Sequence, residues 1–73
     1  MRLEVSVSFR DSENHKWICT TAAESLFEIV RSAWRIFHAP DWRGPKPTLD
    51  TMFKIASVGH PSARWEVRPR YFL

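Results

Sequence analysis

The first ten residues alternate between apolar and polar side chains, and this pattern constrains the fold more than any other segment. The apolar set is Met1, Leu3, Val5, Val7 and Phe9. The polar set is Arg2, Glu4, Ser6, Ser8 and Arg10. A strict period of two over this length predicts a β-strand that buries one face and exposes the other. The pattern therefore predicts a sheet that is covered on one face.

A turn, a second strand and a helix follow this first strand. Residues 11–14 are typical of a turn, and residues 15–20 predict a returning strand. Thr21 and Glu24 match a capping box, in which the two side chains each accept a hydrogen bond from the other residue's backbone N–H. The pattern predicts a helix from this box to about His38, with apolar side chains over half of its circumference.

Two further strands are expected after a proline-rich connection. Residues 39–50 contain three prolines and are long enough to cross the helix and return to the sheet. Residues 52–58 predict a third strand, residues 59–62 a turn, and residues 64–72 a fourth strand. Pro69 has no backbone N–H, so the fourth strand is expected at an edge of the sheet or at a bulge.

The predicted order is β-β-α-β-β. The economical packing is a single small α+β domain over residues 1–73, in which one helix packs on one face of a mostly antiparallel four-stranded sheet. Trp65 and Val67 are expected to face the helix. The other face of the sheet is then uncovered, and its side chains carry more positive than negative charge. It carries Arg2, Glu4, Ser6, Ser8, Arg10, Arg64, Glu66, Arg68 and Arg70.

Length and cysteine content limit how the chain can be stabilised. With 73 residues it is near the minimum for one hydrophobic core. Cys19 is the only cysteine, so an internal disulfide is impossible, and we expect a cytoplasmic protein with no signal peptide and no membrane span. A domain of this size often relies on a partner subunit, which makes self-association an economical way to gain buried area.

No motif for catalysis or for cofactor binding is present. His15, Cys19, His38 and His60 do not lie at the spacings of catalytic or metal-binding groups. Cys19 is interpreted as a small buried side chain. We expect no enzyme activity, no cofactor and no metal, and a small hydrolase or nuclease is the third alternative. No segment carries a motif specific enough to assign the chain to a family.

The preferred hypothesis is binding of a protein partner or of a second copy through surplus aromatic side chains. Four tryptophans are more than one helix on one sheet can easily bury, and Trp is enriched at interface hot spots. The interface candidates are Phe27, Trp34, Trp42 and Phe72. In the alternative, loop 39–50 folds over the helix edge, so that Trp42 and Leu49 cover Phe27 and Trp34. An exposed edge strand offers a second route to a partner, by sheet extension.

The second hypothesis is nucleic-acid binding through the bare sheet face. The formal net charge is +3, and it is unevenly placed, with a net charge of −1 over residues 1–41 and +4 over residues 42–73. The candidates that would contact phosphates are Arg10, Arg64, Arg68 and Arg70. Against this hypothesis, Phe9 and Trp65 are expected to point to the core, and Glu4 and Glu66 interrupt the cations. A solvated polar face is the simpler interpretation of the same residues.

Overall fold

The computed structural model describes residues 3–73, with side chains at residues 4–59 and 64–73. Its elements in chain order are β1 (Leu3–Arg10), β2 (Lys16–Ala23), α1 (Leu26–Phe37), β3 (Phe53–Ser57) and β4 (His60–Val67). The strands form one antiparallel sheet in the order β2-β1-β3-β4. The predicted α+β class is confirmed. Met1 and Arg2, and the side chains of the predicted turn residues 60–62, lie outside the described part.

The core forms between α1 and the apolar face of β1, as the alternation of β1 predicts. Val5, Val7 and Phe9 are buried, while Glu4 and Arg10 are exposed on the opposite face. The rest of the buried apolar cluster is Cys19, Ala23, Ile29, Val30, Ala33, Phe37, Phe53 and Ile55. All of the helix residues in this cluster lie on one side of α1, because a period of 3.6 residues brings positions three and four apart onto the same face.

The helix begins later than predicted, because β2 is longer than predicted. Residues 21–23 pair with residues 3–5 of β1 and so belong to the sheet. The N-cap is Ser25, whose Oγ accepts a hydrogen bond from the backbone N–H of Glu28 at 3.2 Å. Glu28 Oε2 accepts in turn from the backbone N–H of Glu24 at 3.1 Å. The sequence thus contains two capping boxes four residues apart, and pairing along the whole of β1 selects the second.

The last strand ends earlier than predicted. β4 stops at Val67, and Pro69–Tyr71 form a short 3₁₀ helix. Pro69 is buried at the first position of that helix, where a missing N–H leaves no hydrogen bond unmade. The turn before β4 is also shorter than predicted, since residues 58–59 alone join it to β3. A register shift at Ala56/Ser57 marks an irregularity in this strand pair.

The connection after α1 packs against the same core. The Trp42 ring lies edge-on to Phe37 and to Trp17, with centroid distances of 4.9 and 6.0 Å. Its Nε1–H donates to the carbonyl oxygen of Pro45 at 2.9 Å, which satisfies the indole's polar group. Within residues 3–73, no helix is long and apolar enough to cross a membrane.

Candidate interaction surfaces

The four aromatic residues predicted to form an interface do not come together. No ring contact joins any two of them, and all four lie in the described part of the chain. Trp34 is half-buried with its ring 4.0 Å from the His38 imidazole, and Trp42 and Phe72 pack against the core. Phe27 is 49% exposed. Loop 39–50 therefore covers the core beside Trp42 and leaves the helix edge at Phe27 open.

Trp65 lies on the helix side of the sheet, as predicted, but it is not covered. Its register partner is the buried Ile55, which places both side chains on the same face. Trp65 is nevertheless 40% exposed, because α1 packs mainly on β2, at the other edge of the sheet. Its indole lines a small apolar depression of about 110 Å³ beside Leu26 and Ile29.

The hydrogen-bonding pattern of β2 shows which of its backbone groups face outward. The N–H of Asp11 donates to the carbonyl oxygen of His15 at 3.0 Å, so this pair is hydrogen-bonded. Bonded and non-bonded pairs alternate along an antiparallel ladder. The β2 residues that bond to β1 are therefore Trp17, Cys19 and Thr21. The residues whose N–H and C=O point to the free edge are Lys16, Ile18 and Thr20.

A bond on the other side of β1 supports this assignment. The N–H of Val58 donates to the carbonyl oxygen of Glu4 at 3.0 Å. Even-numbered residues of β1 thus bond to β3, which leaves the odd-numbered ones for β2. Each residue of β1 therefore bonds to one neighbouring strand only, and the two neighbours alternate along it, as a central strand requires.

After Lys16 at its start, the free edge of β2 lacks the features that usually protect edge strands. Residues 17–23 contain no charged residue, no proline and no glycine. Natural edge strands are commonly blocked by charges, prolines or bulges. β4, at the other edge, carries Arg64 and Glu66 and contains the register shift against β3. The two edges of the sheet therefore differ, and β2 is the one open to another strand.

Phe27 lies beside this free edge. A shallow depression of about 320 Å³ runs between β2 and α1, and its lining includes Ala22, Ala23, Phe27 and Arg31. The Arg31 guanidinium carbon lies 5.4 Å from the centroid of the Phe27 ring, within the range of a cation–π contact. An exposed aromatic ring and an unprotected strand edge thus adjoin each other.

The open face of the sheet holds two cations that the alternation of β1 and β4 does not predict. Arg10 and Arg64 lie there as predicted. The register adds Lys16, which pairs with Arg10, and Lys54, which pairs with Ser8. The alternation of β3 contains the signal for Lys54, because its neighbours on either side, Phe53 and Ile55, are apolar and buried.

Arg70 lies in the 3₁₀ helix beyond β4 and not on the open sheet face. It forms a bidentate pair with Asp50, in which Nε donates to Oδ1 at 2.7 Å and Nη2 to Oδ2 at 2.9 Å. These hydrogen bonds are the main reason that the pKa of Asp50 lies below its usual value and that of Arg70 above. Arg68 is exposed and directly precedes this helix. The early end of β4 therefore separates Arg70 from the other arginine candidates.

The burial of Cys19 can be tested by measuring how the stability of the fold depends on pH. It is 9% exposed, and burial raises the pKa of its thiol from 9.0 to about 11. The native state therefore favours the neutral thiol, so this contribution to stability is complete below pH 9 and is lost as the pH rises through 11. We expect the urea midpoint of the wild type to fall more steeply between pH 9 and 11 than that of Cys19→Ala. Equal slopes in the two proteins would contradict this.

Two of the histidines have structural contacts. His38 Nδ1 lies 2.8 Å from the carbonyl oxygen of Trp34, and His15 lies 3.6 Å from a carboxylate oxygen of Asp11. The side chain of His60 is outside the described residues. In the part of the chain that is described, no group of three or more His, Cys, Asp or Glu residues is placed to hold a metal ion. Comparison with protein-family models, curated proteins and solved structures finds no match.

Proposed function

We propose that this chain is a protein-binding domain that pairs with a second copy of itself through the free edge of β2. The observation that carries this proposal is the row of outward N–H and C=O groups at Lys16, Ile18 and Thr20. Such a row is a template for another strand, and residues 17–23 place no charge in its way. A chain of 73 residues without a disulfide also has a small core, so added interface area is valuable.

The edge is suited to a second copy, because antiparallel pairing of identical strands has twofold symmetry. In such an interface residue i contacts residue j, and j contacts i. A pairing centred on Cys19 places Ile18 of each copy opposite Thr20 of the other. It also places Lys16 of the two copies at opposite ends, so these cations do not face each other. The outward N–H and C=O groups of Ile18 and Thr20 gain partners in this register.

Phe27 adds apolar area to the same surface. Its ring adjoins the Ala23 end of β2. In an antiparallel pairing this end of one copy lies beside the opposite end of β2 in the other, where Trp17 and Trp42 contact each other. Two of the aromatic residues singled out from the sequence, Phe27 and Trp42, would then approach across the interface. Apolar burial there supplements the strand hydrogen bonds.

Amide exchange measured by NMR at increasing protein concentration tests this pairing directly. We expect a mass of twice 8.6 kDa by light scattering at high concentration. The amides of Ile18 and Thr20 should become protected as the dimer forms. Those of Cys19 and Thr21 should be protected at every concentration, because they bond to β1. A dimer in which Ile18 and Thr20 still exchange fast would use another surface, and a monomer throughout would refute the proposal.

A proline at the edge supplies a complementary variant. Thr20→Pro removes an outward N–H and leaves the bonds between β2 and β1 in place. The twofold axis doubles the loss, so at about 1 kcal/mol for each hydrogen bond the dimer should weaken roughly 30-fold. Thr20→Val keeps the N–H and should dimerise like the wild type. A folded Thr20→Pro variant with undiminished dimerisation would exclude β2 as the interface.

A further inference from the structure

Four cations form a diagonal line across the open face of the sheet, one on each strand. This cation line consists of Lys16, Arg10, Lys54 and Arg64. Lys16 and Arg10 are register partners. Lys54 is the partner of Ser8, two residues from Arg10, and Arg64 is the partner of Ala56, two residues from Lys54. Opposed side chains on a sheet lie about 5 Å apart and diagonal neighbours about 7–8 Å apart, so each step along the line is short.

Small side chains form the floor beneath the cation line. Ser8 is buried between Arg10 and Lys54, and Ser6 and Ala56 are register partners on the neighbouring row. Two shallow depressions of about 240 and 270 Å³ lie along the line. The first is lined by Ser8, Phe9, Arg10, Lys16, Met52 and Lys54. An extended ligand can therefore lie across the sheet in contact with successive cations.

No ion pair among the described residues neutralises the two lysines of the line. Neither Lys16 nor Lys54 forms an ion pair with another described residue. Glu66 is the register partner of Lys54, yet the two side chains do not form a salt bridge. Arg70, by contrast, is paired with Asp50. Like charges gathered on one surface repel each other, and an anionic ligand relieves that repulsion.

We propose that the cation line binds the phosphate backbone of single-stranded nucleic acid. A polymer with one negative charge per nucleotide can contact a row of closely spaced cations, and arginine binds phosphate oxygens through two parallel N–H donors. Ile18 and Met52 are exposed, line the two depressions along the cation line and offer apolar contact to bases. Among the described residues of this face no aromatic ring is exposed for base stacking, so binding should be weak, salt-sensitive and tolerant of sequence. Lys16 belongs both to this line, through its side chain, and to the free edge of β2, through its backbone groups.

Fluorescence anisotropy with a labelled oligothymidylate at low salt tests the site. Arg10→Gln/Lys54→Gln should bind at least tenfold more weakly than the wild type. For single strands the slope of log K against log salt changes by about 0.7 for each phosphate that the protein no longer neutralises, so the double variant should flatten it by about 1.4. Arg43→Gln/Lys46→Gln makes the same change of net charge at two positions outside the sheet. This control should stay within twofold of the wild type.

Three results would overturn the proposal. The first is no binding of the oligothymidylate at low salt by the wild-type chain. The second is an equal loss in the two double variants when circular dichroism shows both to be folded, because the effect would then follow net charge alone. The third is tighter binding of polyglutamate than of the oligothymidylate, which would assign the cation line to an acidic protein. Glu66→Gln should tighten oligothymidylate binding, since it removes the carboxylate beside Lys54.

Discussion

Phe37→Ala should leave the chain largely unfolded at room temperature. Phe37 is fully buried in the last turn of α1. Its ring contacts Phe9, Phe53 and Trp42 at centroid distances of 4.8, 5.7 and 4.9 Å. Truncation of a buried phenylalanine costs about 3–5 kcal/mol, and the single core of so small a domain rarely supplies more than about 3–5 kcal/mol in total. One substitution therefore removes most of the available stability.

The same substitution at Phe27 is the matched control. Phe27 lies on the same helix but is half exposed, so Phe27→Ala should change the free energy of unfolding by less than about 1 kcal/mol. Urea titrations followed by tryptophan fluorescence, at a concentration where the wild type is monomeric, separate the two. Phe37→Leu, with an expected cost of about 1–2 kcal/mol, provides a folded intermediate case. A Phe37→Ala midpoint close to that of Phe27→Ala would mean that the aromatic cluster is not the centre of the core.

The contrast between these two positions shows what periodicity can predict. The apolar arc of the helix contains both Phe27 and Phe37, so the pattern predicts the buried side of α1 but not how far burial extends around it. The answer depends on the connection after the helix, which brings Trp42 against Phe37 and leaves Phe27 uncovered. The periodicity of the helix does not encode that contact, because Trp42 lies beyond the end of α1.

Element boundaries show the same division between local and distant information. The alternation in β1 is visible within ten residues, and it predicts the strand correctly. The start of α1 is not predicted correctly, because Thr21 and Ser25 are equally good N-caps by spacing. The choice between them depends on whether residues 21–23 pair with β1, which is a contact between segments almost twenty residues apart.

The candidate nucleic-acid site is also only partly predictable from local patterns. Arg10 and Arg64 follow from the alternation of their own strands. The alternation of β3 also predicts the face of Lys54, but the alignment of Lys16 and Lys54 with these arginines depends on the order and register of four strands, which local patterns do not encode. Arg70 does not lie on the open sheet face where the alternation places it, because β4 ends at Val67 and Arg70 lies in the 3₁₀ helix, paired with Asp50. Clustering of charge in the sequence therefore predicts a basic surface only where the strand pairing is also known.

Gly44→Asn should destabilise the chain by about 1–3 kcal/mol, because no space exists for a side chain at this position. A Cβ there would lie 2.7 Å from Cε3 of Trp17 and 2.9 Å from Cζ2 of Trp42. Neither indole can move freely. Trp17 Nε1 donates to Asp11 Oδ2 at 3.0 Å, which is the main reason that the pKa of Asp11 lies below its usual value. Trp42 Nε1 is held by the carbonyl oxygen of Pro45.

Gly59→Asn is the comparison variant, because at Gly59 a side chain has space and only the backbone conformation opposes it. Gly59 has a φ of +85°, and a Cβ at this residue would have no neighbour within 4 Å. Asparagine tolerates positive φ better than other residues with a side chain. Gly59→Asn should therefore cost less than Gly44→Asn in the same urea titration. Replacing any glycine also restricts the unfolded chain. At an unstrained site this raises the free energy of unfolding by about 0.4–1 kcal/mol. If Gly44→Asn left the free energy of unfolding unchanged or raised it, the gain from the restricted unfolded chain would equal or exceed the cost of the clash. The two tryptophans would then not pack on Gly44 as described.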